Sequence, residues 1–89
     1  MNEKQVTVSN RTGLHTRPSA LIVQMAAKFK SDIFLIRDGF MINAKSIIGV
    51  MTLTAEKGCK LTVRAEGPDE DKAVNEITGL ISSGFGEKT

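Results

Sequence analysis

The stretch "DIFLIRDGFMIN", residues 32–43, contains two short apolar runs joined by Asp38 and Gly39. An Asp-Gly pair between two such runs is typical of a tight antiparallel hairpin, because both residues tolerate the positive φ angles that the turn requires. The stretch therefore predicts two neighbouring antiparallel strands in the middle of the chain.

Alternating apolar and polar residues on either side of this hairpin predict two further strands. Val6 and Val8 lie on one side of residues 5–9, and the same alternation runs through residues 59–66, where it is the clearest in the chain. A period of two is the pattern of a strand with one buried face.

Three segments with helical periodicity complete the pattern. The first helix is predicted from Thr16 to about Lys28 or Phe29, because apolar residues recur there at helical spacing. A short helix is predicted within "AKSIIGVMTL", residues 44–53. A last helix follows Asp69, whose carboxylate is expected to cap it, and ends before Gly84.

The predicted order of elements is β-α-β-β-α-β-α. Strands that are polar on one side need helices on only one face of their sheet. The sequence therefore predicts an α+β open-faced sandwich, in which a four-stranded antiparallel sheet is covered on one face by three helices. No repeat, low-complexity tract or linker interrupts residues 1–89, so we expect a single domain.

Charge and aromatic content argue against nucleic acid as a partner. The chain has 12 basic and 10 acidic residues, and its net charge of +2 is too small and too evenly scattered to indicate binding to a phosphate backbone. It contains neither Trp nor Tyr and only 4 Phe, so platforms for stacking bases are poorly supplied.

Cysteine usage and hydropathy bear on cofactors and location. One cysteine and one histidine cannot form a disulfide or a structural zinc site, so we expect no metal and no other cofactor. The N-terminus "MNEKQ" is polar, and no apolar stretch approaches the length of a membrane span. We therefore expect a cytoplasmic protein that does not insert into a membrane.

The only histidine, His15, lies in "RTGLHTRPSA", residues 11–20, at the predicted N-terminus of the first helix. The free N–H groups and the positive end of the helix dipole favour a phosphoryl group at such a position. Arg17 offers a planar guanidinium to phosphate oxygens, Gly13 allows a positive φ in the preceding turn, and Pro18 stiffens the first helical turn. Together these residues indicate a site that accepts and releases a phosphoryl group.

Taken one at a time, the same residues leave other interpretations open. His15 can be an exposed histidine near a helix end without a function, and Arg17 can be merely solvated. A hydrolase is disfavoured, because Ser19 has no evident orienting carboxylate for a Ser-His-Asp triad and no carboxylates are paired. A small interaction or RNA-binding domain that uses the sheet face also stays open. Outward-facing aromatic residues would distinguish it, and the pattern shows none that alternate outward convincingly.

A second group of residues surrounds Ser46, which begins the short helix in "NAKSIIGVM". A phosphate added to Ser46 would meet free amides and the positive end of the dipole. The apolar residues of this helix fall on two faces, and a helix this short cannot bury both. We expect the exposed face to form a docking patch that consists of Ile47, Ile48 and Met51. The alternative is that Ser46 is only an N-cap and that the isoleucines belong to the core.

The pattern Gly-aliphatic-His-small-Arg-Pro-small in "GLHTRPSA" resembles the active-site signature of HPr, the histidine-containing phosphocarrier family of the bacterial phosphoenolpyruvate-dependent sugar phosphotransferase system. The resemblance continues through "NAKSIIGVMTL" and the Asp-Glu start of the last helix, so it covers nearly the whole chain. It implies that His15 receives a phosphoryl group on Nδ1 from phosphorylated enzyme I and passes it to a sugar-specific enzyme IIA, while Arg17 steadies that group. Thr16, which stands where many members have alanine, Ala20 and the docking patch would then contact these partners.

The resemblance also implies a regulatory site at Ser46. In many HPr proteins an ATP-dependent HPr kinase/phosphorylase phosphorylates the corresponding serine, and a transcriptional regulator reads the phosphoserine. The protein would be a monomeric phosphocarrier without turnover of its own, not an enzyme. The alternative is a nitrogen-related or regulatory carrier that serves a non-sugar enzyme IIA. A regulatory relative that lacks the active-site histidine is excluded, because His15 is present.

Overall fold

The order of strands and helices is the predicted one in the computed structural model, which describes residues 1–87. The strands are β1 (Asn2–Thr7), β2 (Asp32–Arg37), β3 (Phe40–Asn43) and β4 (Lys60–Glu66). The helices are α1 (Thr16–Ala26), α2 (Ile47–Thr52) and α3 (Glu70–Ser82), and a short 3-10 turn spans Gly84–Gly86. Within residues 1–87, none of the helices is long and apolar enough to cross a bilayer.

The four strands form one sheet in the order β1-β4-β2-β3, and every neighbouring pair is antiparallel. The predicted hairpin is confirmed: Arg37 pairs with Phe40, and the two residues between them, Asp38 and Gly39, have φ angles of 50° and 80°. Both angles lie in the left-handed region that a tight hairpin turn requires.

The helices cover one face of the sheet. Ile33 and Leu35 of β2 point toward them and are fully buried, whereas Ile36 points to the opposite, open face and is half-buried. Burying each large aliphatic side chain contributes about 1.5–3 kcal/mol, so this layer is the main source of stability. The open-faced sandwich is confirmed. The largest fully buried apolar side chains are Ile22, Ile33, Leu35, Leu61, Ile77 and Ile81.

One aromatic side chain, Phe34, lies on the open face, although the sequence pattern shows no aromatic residue that alternates outward convincingly. It alternates with the buried Ile33 and Leu35 and is half-buried itself. Sheets that bind single-stranded RNA stack two or three bases on their aromatic residues. A single phenylalanine does not form such a platform, so this correction does not favour the RNA-binding alternative.

The first strand begins and ends earlier than the pattern in residues 5–9 predicts. β1 pairs with β4 from Asn2 onward, where Asn2 lies opposite Ala65, because main-chain pairing does not require an alternating sequence. Val8 lies beyond the end of β1 but is fully buried, and its N–H donates to the Cys59 carbonyl at 2.8 Å.

The first helix ends at Ala26, two to three residues before its predicted end. Lys28 and Phe29 form a tighter turn, in which their N–H groups donate to the carbonyls of Met25 and Ala26. Phe29 is nevertheless buried, so its apolar character belongs to the core and not to a continuing helix.

Asp69 occupies the N-cap position of α3, but its carboxylate does not cap that helix. It accepts hydrogen bonds from the Ser31 hydroxyl and from the N–H groups of Lys30 and Ser31, both at 2.9 Å. These bonds tie the start of α3 to the loop before β2. The Ser31 hydroxyl, followed by the Lys30 N–H, lowers the pKa of Asp69 from 3.8 to about 2.

Asp69→Asn should lower the free energy of unfolding at neutral pH, because an amide oxygen holds the donors of Lys30 and Ser31 less strongly than a carboxylate does. The folded-state pKa of Asp69 lies below its unfolded-state value. Its contribution is therefore present above about pH 4 and is lost as the pH falls toward about 2. Urea unfolding of both proteins across this range should show their difference shrinking to zero. A difference that does not change with pH contradicts the assignment.

Candidate functional site

His15 lies at the N-cap position of α1 with an extended backbone, φ −74° and ψ −171°. Its carbonyl accepts the Ser19 N–H at 2.9 Å, as the first bond of the helix. Within residues 1–87 the ring takes no part in capping, and the side chain is exposed. The imidazole is therefore accessible to a reactant, beside the N–H groups that begin an 11-residue helix.

Arg17 lies in the first turn of α1 and is exposed. One guanidinium nitrogen is 3.5 Å from the Phe85 carbonyl oxygen, at the limit of a hydrogen bond. Charge-assisted bonds to an anion are shorter and stronger, so a phosphoryl group on His15 can compete for this guanidinium. Sequence reasoning missed the contact with Phe85, because the two residues are 68 positions apart and leave no local pattern.

Ser19, Thr16 and Ala20 have different environments in α1. Ser19 is fully buried, and its hydroxyl donates to the Leu14 carbonyl at 3.0 Å, so it serves the turn before the helix. This use of the hydroxyl further disfavours a Ser-His-Asp triad. Thr16 is exposed and Ala20 is half-buried, and their spacing places them on one side of the helix.

Ser46 is the N-cap of α2, and its Oγ accepts the Gly49 N–H at 3.1 Å. The side chains of the docking patch are exposed, with 39% of Ile47, 74% of Ile48 and 40% of Met51 accessible to solvent. The opposite face is buried through Val50 and Leu53. The predicted division of this helix into two faces is confirmed, and the alternative that the isoleucines belong to the core is wrong.

A depression of about 320 Å³ brings parts of the two predicted groups together. His15 and Met51 both line it, so the imidazole and one member of the docking patch share a face of the molecule. Its wall combines apolar and polar side chains, and the exposed Glu56 is its acidic residue. The residues that line it are Leu14, His15, Thr16, Met51, Thr54, Ala55 and Glu56.

The two sides of this depression are joined through the backbone. The Leu14 N–H donates to the Ala55 carbonyl at 2.8 Å. Gly13 has the predicted positive φ, +67°, and a Cβ at this position would lie only 2.4 Å from the Ala55 oxygen. The turn before His15 can therefore approach the end of α2 this closely only with glycine at position 13.

The turn before His15 is also tied to the end of the described chain. The fully buried Asn10 donates through its amide nitrogen to the Gly13 carbonyl at 2.8 Å and to the Glu87 carboxylate at 3.1 Å. The Thr12 hydroxyl donates to the same carboxylate at 3.1 Å. These contacts hold the turn in addition to its bond with Ala55, and sequence reasoning did not identify them.

Comparison with known proteins places this geometry in a family. Residues 2–83 match the family described as "PTS HPr component phosphorylation site". The chain belongs to the HPr family, the phosphocarrier proteins of the phosphotransferase system. The match confirms the resemblance seen in the sequence.

Individual relatives agree with this assignment. Phosphocarrier protein HPr of Treponema pallidum is 49% identical over 85 residues, which cover 96% of this chain and 97% of that protein. HPr-like protein Crh of Halalkalibacterium halodurans is 47% identical over 81 residues, covering 91% and 96%. A crystal structure of HPr from Thermoanaerobacter tengcongensis has a TM-score of 0.96 at 45% identity over the whole of both chains. The HPr of that organism is also described as a dimer, with a TM-score of 0.78 at 46% identity over 98% of this chain and all of that one.

Gly13→Ala should lower the free energy of unfolding by about 2–4 kcal/mol for two reasons. Alanine disfavours the left-handed backbone conformation at this position, and its Cβ would clash with the Ala55 carbonyl. Gly39→Ala is the matched control. Gly39 has a φ of +80° and open space around the added Cβ, so it should lose only the backbone term, about 1–2 kcal/mol. Urea unfolding measures both losses, and equal losses would exclude the close approach to Ala55.

Proposed function

We propose that this protein accepts a phosphoryl group on Nδ1 of His15 from phosphorylated enzyme I and passes it to a sugar-specific enzyme IIA. The observation that carries this proposal is the exposed imidazole at the N-cap of α1, with Arg17 in the first turn of the same helix. The family match describes a phosphorylation site and includes both residues.

The transfer exchanges one bond to phosphorus for another. The lone pair of Nδ1 forms the bond to phosphorus as the bond between phosphorus and the enzyme I donor breaks. In the second step the bond to Nδ1 breaks as the enzyme IIA acceptor attacks, and the free imidazole returns. The Arg17 guanidinium and the N–H groups at the start of α1 stabilise the charge on the phosphoryl oxygens in both steps.

The exposed apolar surface around the depression suits binding of enzyme I and enzyme IIA one after the other. The docking patch exposes three apolar side chains next to the residues that carry the chemistry, and Thr16 and Ala20 extend this surface along α1. Enzyme I and enzyme IIA would use the same face, so only one of them binds at a time. The protein then acts as a monomeric carrier in the cytoplasm, without turnover of its own.

His15→Ala should abolish enzyme I-dependent labelling by phosphoenolpyruvate without unfolding the protein, because the side chain is exposed. Arg17→Ala, its companion, should fold and accept phosphate but transfer it more slowly in both directions, by about 10- to 100-fold, because it removes charge stabilisation and not the bond-forming atom. Acid-labile, alkali-stable phosphate measures the labelling. Its persistence in His15→Ala would exclude His15 as the acceptor, and unchanged rates in Arg17→Ala would remove Arg17 from the mechanism.

We further propose that Ser46 is a regulatory phosphorylation site for a kinase of the HPr kinase/phosphorylase type, and that a transcriptional regulator reads the product. Ser46 is exposed and directly precedes the docking patch. A phosphate there adds a charge of about −1.5 to −2 beside apolar side chains that a partner must cover. The charge costs desolvation when the partner closes over it and repels acidic groups of that partner.

Ser46→Asp should weaken binding to enzyme I and slow phosphorylation of His15, to a smaller degree than a phosphate does. Asp remains a good N-cap, so the variant should stay folded. Ser46→Ala is the control: it loses the bond to Gly49 and about 1 kcal/mol of stability, but should accept phosphate at the wild-type rate. Rates are compared across salt concentrations. Wild-type acceptance by Ser46→Asp at every salt concentration would exclude electrostatic inhibition.

The alternative is a carrier of the nitrogen-related or regulatory branch, and the similarity to Crh, which is described as a catabolite repression protein of Bacillus subtilis, supports a regulatory role. The two functions share the chemistry at His15 and differ in the acceptor. Transfer from the phosphorylated protein to a sugar-specific enzyme IIA, compared with transfer to a nitrogen-related one, distinguishes them.

A further inference from the structure

We infer that Arg37 is a positioning residue for phosphoryl transfer, because it holds Thr54 in a left-handed backbone conformation and so sets the floor of the depression beside His15. Thr54 and Ala55 both line that depression. The inference rests on the proposed transfer from enzyme I to His15. Arg37 lies at the end of β2, in the hairpin and not in the segments that carry the chemistry.

Thr54 has a backbone conformation that its side chain disfavours. Its φ is +49°, in the left-handed region where a β-branched residue is uncommon, because its Cβ crowds the following carbonyl oxygen. Such a conformation persists where surrounding contacts outweigh its cost, and such sites cluster at functional positions. The contacts that hold Thr54 should therefore matter for the shape of the depression.

Arg37 supplies those contacts. One nitrogen of its guanidinium donates to the Leu53 carbonyl at 2.7 Å, to the Thr54 carbonyl at 3.0 Å and to the Thr54 hydroxyl at 3.3 Å. Leu53 is the C-cap of α2, where the negative end of the helix dipole favours a cation. The carboxylate near Arg37, that of Asp38, is 3.8 Å away and 92% exposed, so it competes only weakly for the guanidinium.

A short path leads from Arg37 to the phosphoryl acceptor. Thr54, which Arg37 holds, is followed by Ala55, whose carbonyl accepts the Leu14 N–H at 2.8 Å. Leu14 directly precedes His15. Arg37 thus fixes Thr54 and, through it, the position of the Ala55 carbonyl that accepts the Leu14 N–H. It does so without touching the reacting atoms.

The test measures the KM and kcat of enzyme I with this protein as its substrate. Arg37→Met should raise KM by roughly tenfold, because displacing Thr54 and Ala55 impairs the docking of enzyme I without removing a reacting group. kcat should change by less than about twofold, because His15 and Arg17 are retained. Arg64→Met is the matched control, since Arg64 makes an ion pair with Glu3 on the open face of the sheet.

A second substitution separates positioning from general destabilisation. Thr54→Gly should restore KM in the Arg37→Met background, because glycine adopts a φ of +49° without support from Arg37. An unchanged KM in Arg37→Met, an equal rise in Arg64→Met, or a rise that Thr54→Gly does not reverse would overturn the inference.

Amide hydrogen exchange gives a readout that does not depend on enzyme I. The Leu14 amide should exchange about tenfold faster in Arg37→Met than in the wild type, because its acceptor segment opens more often, and at the wild-type rate in Arg64→Met. If enzyme I does not phosphorylate the wild-type protein, the proposed function fails, and exchange at Leu14 still decides whether Arg37 positions this segment. Unchanged exchange at Leu14 in Arg37→Met overturns the inference.

Discussion

The hydrogen bond from the Leu14 N–H to the Ala55 carbonyl, with Gly13 packed against the same carbonyl, is the contact on which the site depends. It joins the turn before α1, which leads into His15, to the segment that follows α2, the helix that carries the docking patch. One buried hydrogen bond contributes only about 1 kcal/mol net, but breaking it leaves a donor and an acceptor without partners, which costs about 1–3 kcal/mol. A modest interaction therefore fixes the position of the His15 turn relative to the exposed apolar residues of α2.

The sheet brings these two segments together. β1 and β4 are antiparallel neighbours, so the end of β1 and the start of β4 lie side by side at the same end of the sheet. The pairing continues beyond both strands, because Val8 exchanges hydrogen bonds with Gly58 and Cys59 at 2.7 and 2.8 Å. The turn before His15 and the end of α2 are thus neighbours before any side chain contributes. Glycine at position 13 then allows the final close approach.

Much of this fold could be predicted from local patterns. Asp38 and Gly39 predict the hairpin because the turn needs positive φ at both positions, and alternation or helical spacing predicts the other elements. His15 and Arg17 could be predicted as a site because their spacing at a helix start has a chemical meaning of its own. The division of α2 into two faces followed from its length, since a short helix cannot bury all of its apolar residues.

The remaining features depend on residues far apart in the chain. The carboxylate of Asp69 was expected to cap α3, but the loop at Lys30 and Ser31 offers it better donors across the fold. The contacts of Arg37 with Thr54, and the φ of Thr54 itself, leave no signature in the sequence. Phe34 was hidden in a continuous apolar run, in which both faces of β2 look alike. Each of these features is set by tertiary packing, which local propensity does not encode.

An NMR titration of the isotopically labelled protein with unphosphorylated enzyme I tests most directly whether the joined segments form one functional face. Amide chemical shifts should change together in residues 12–17 and 46–56, on both sides of the contact between Leu14 and Ala55. Residues of the open face around Phe34 should be unaffected. Changes confined to one of the two segments, or centred on the open face, would contradict the account.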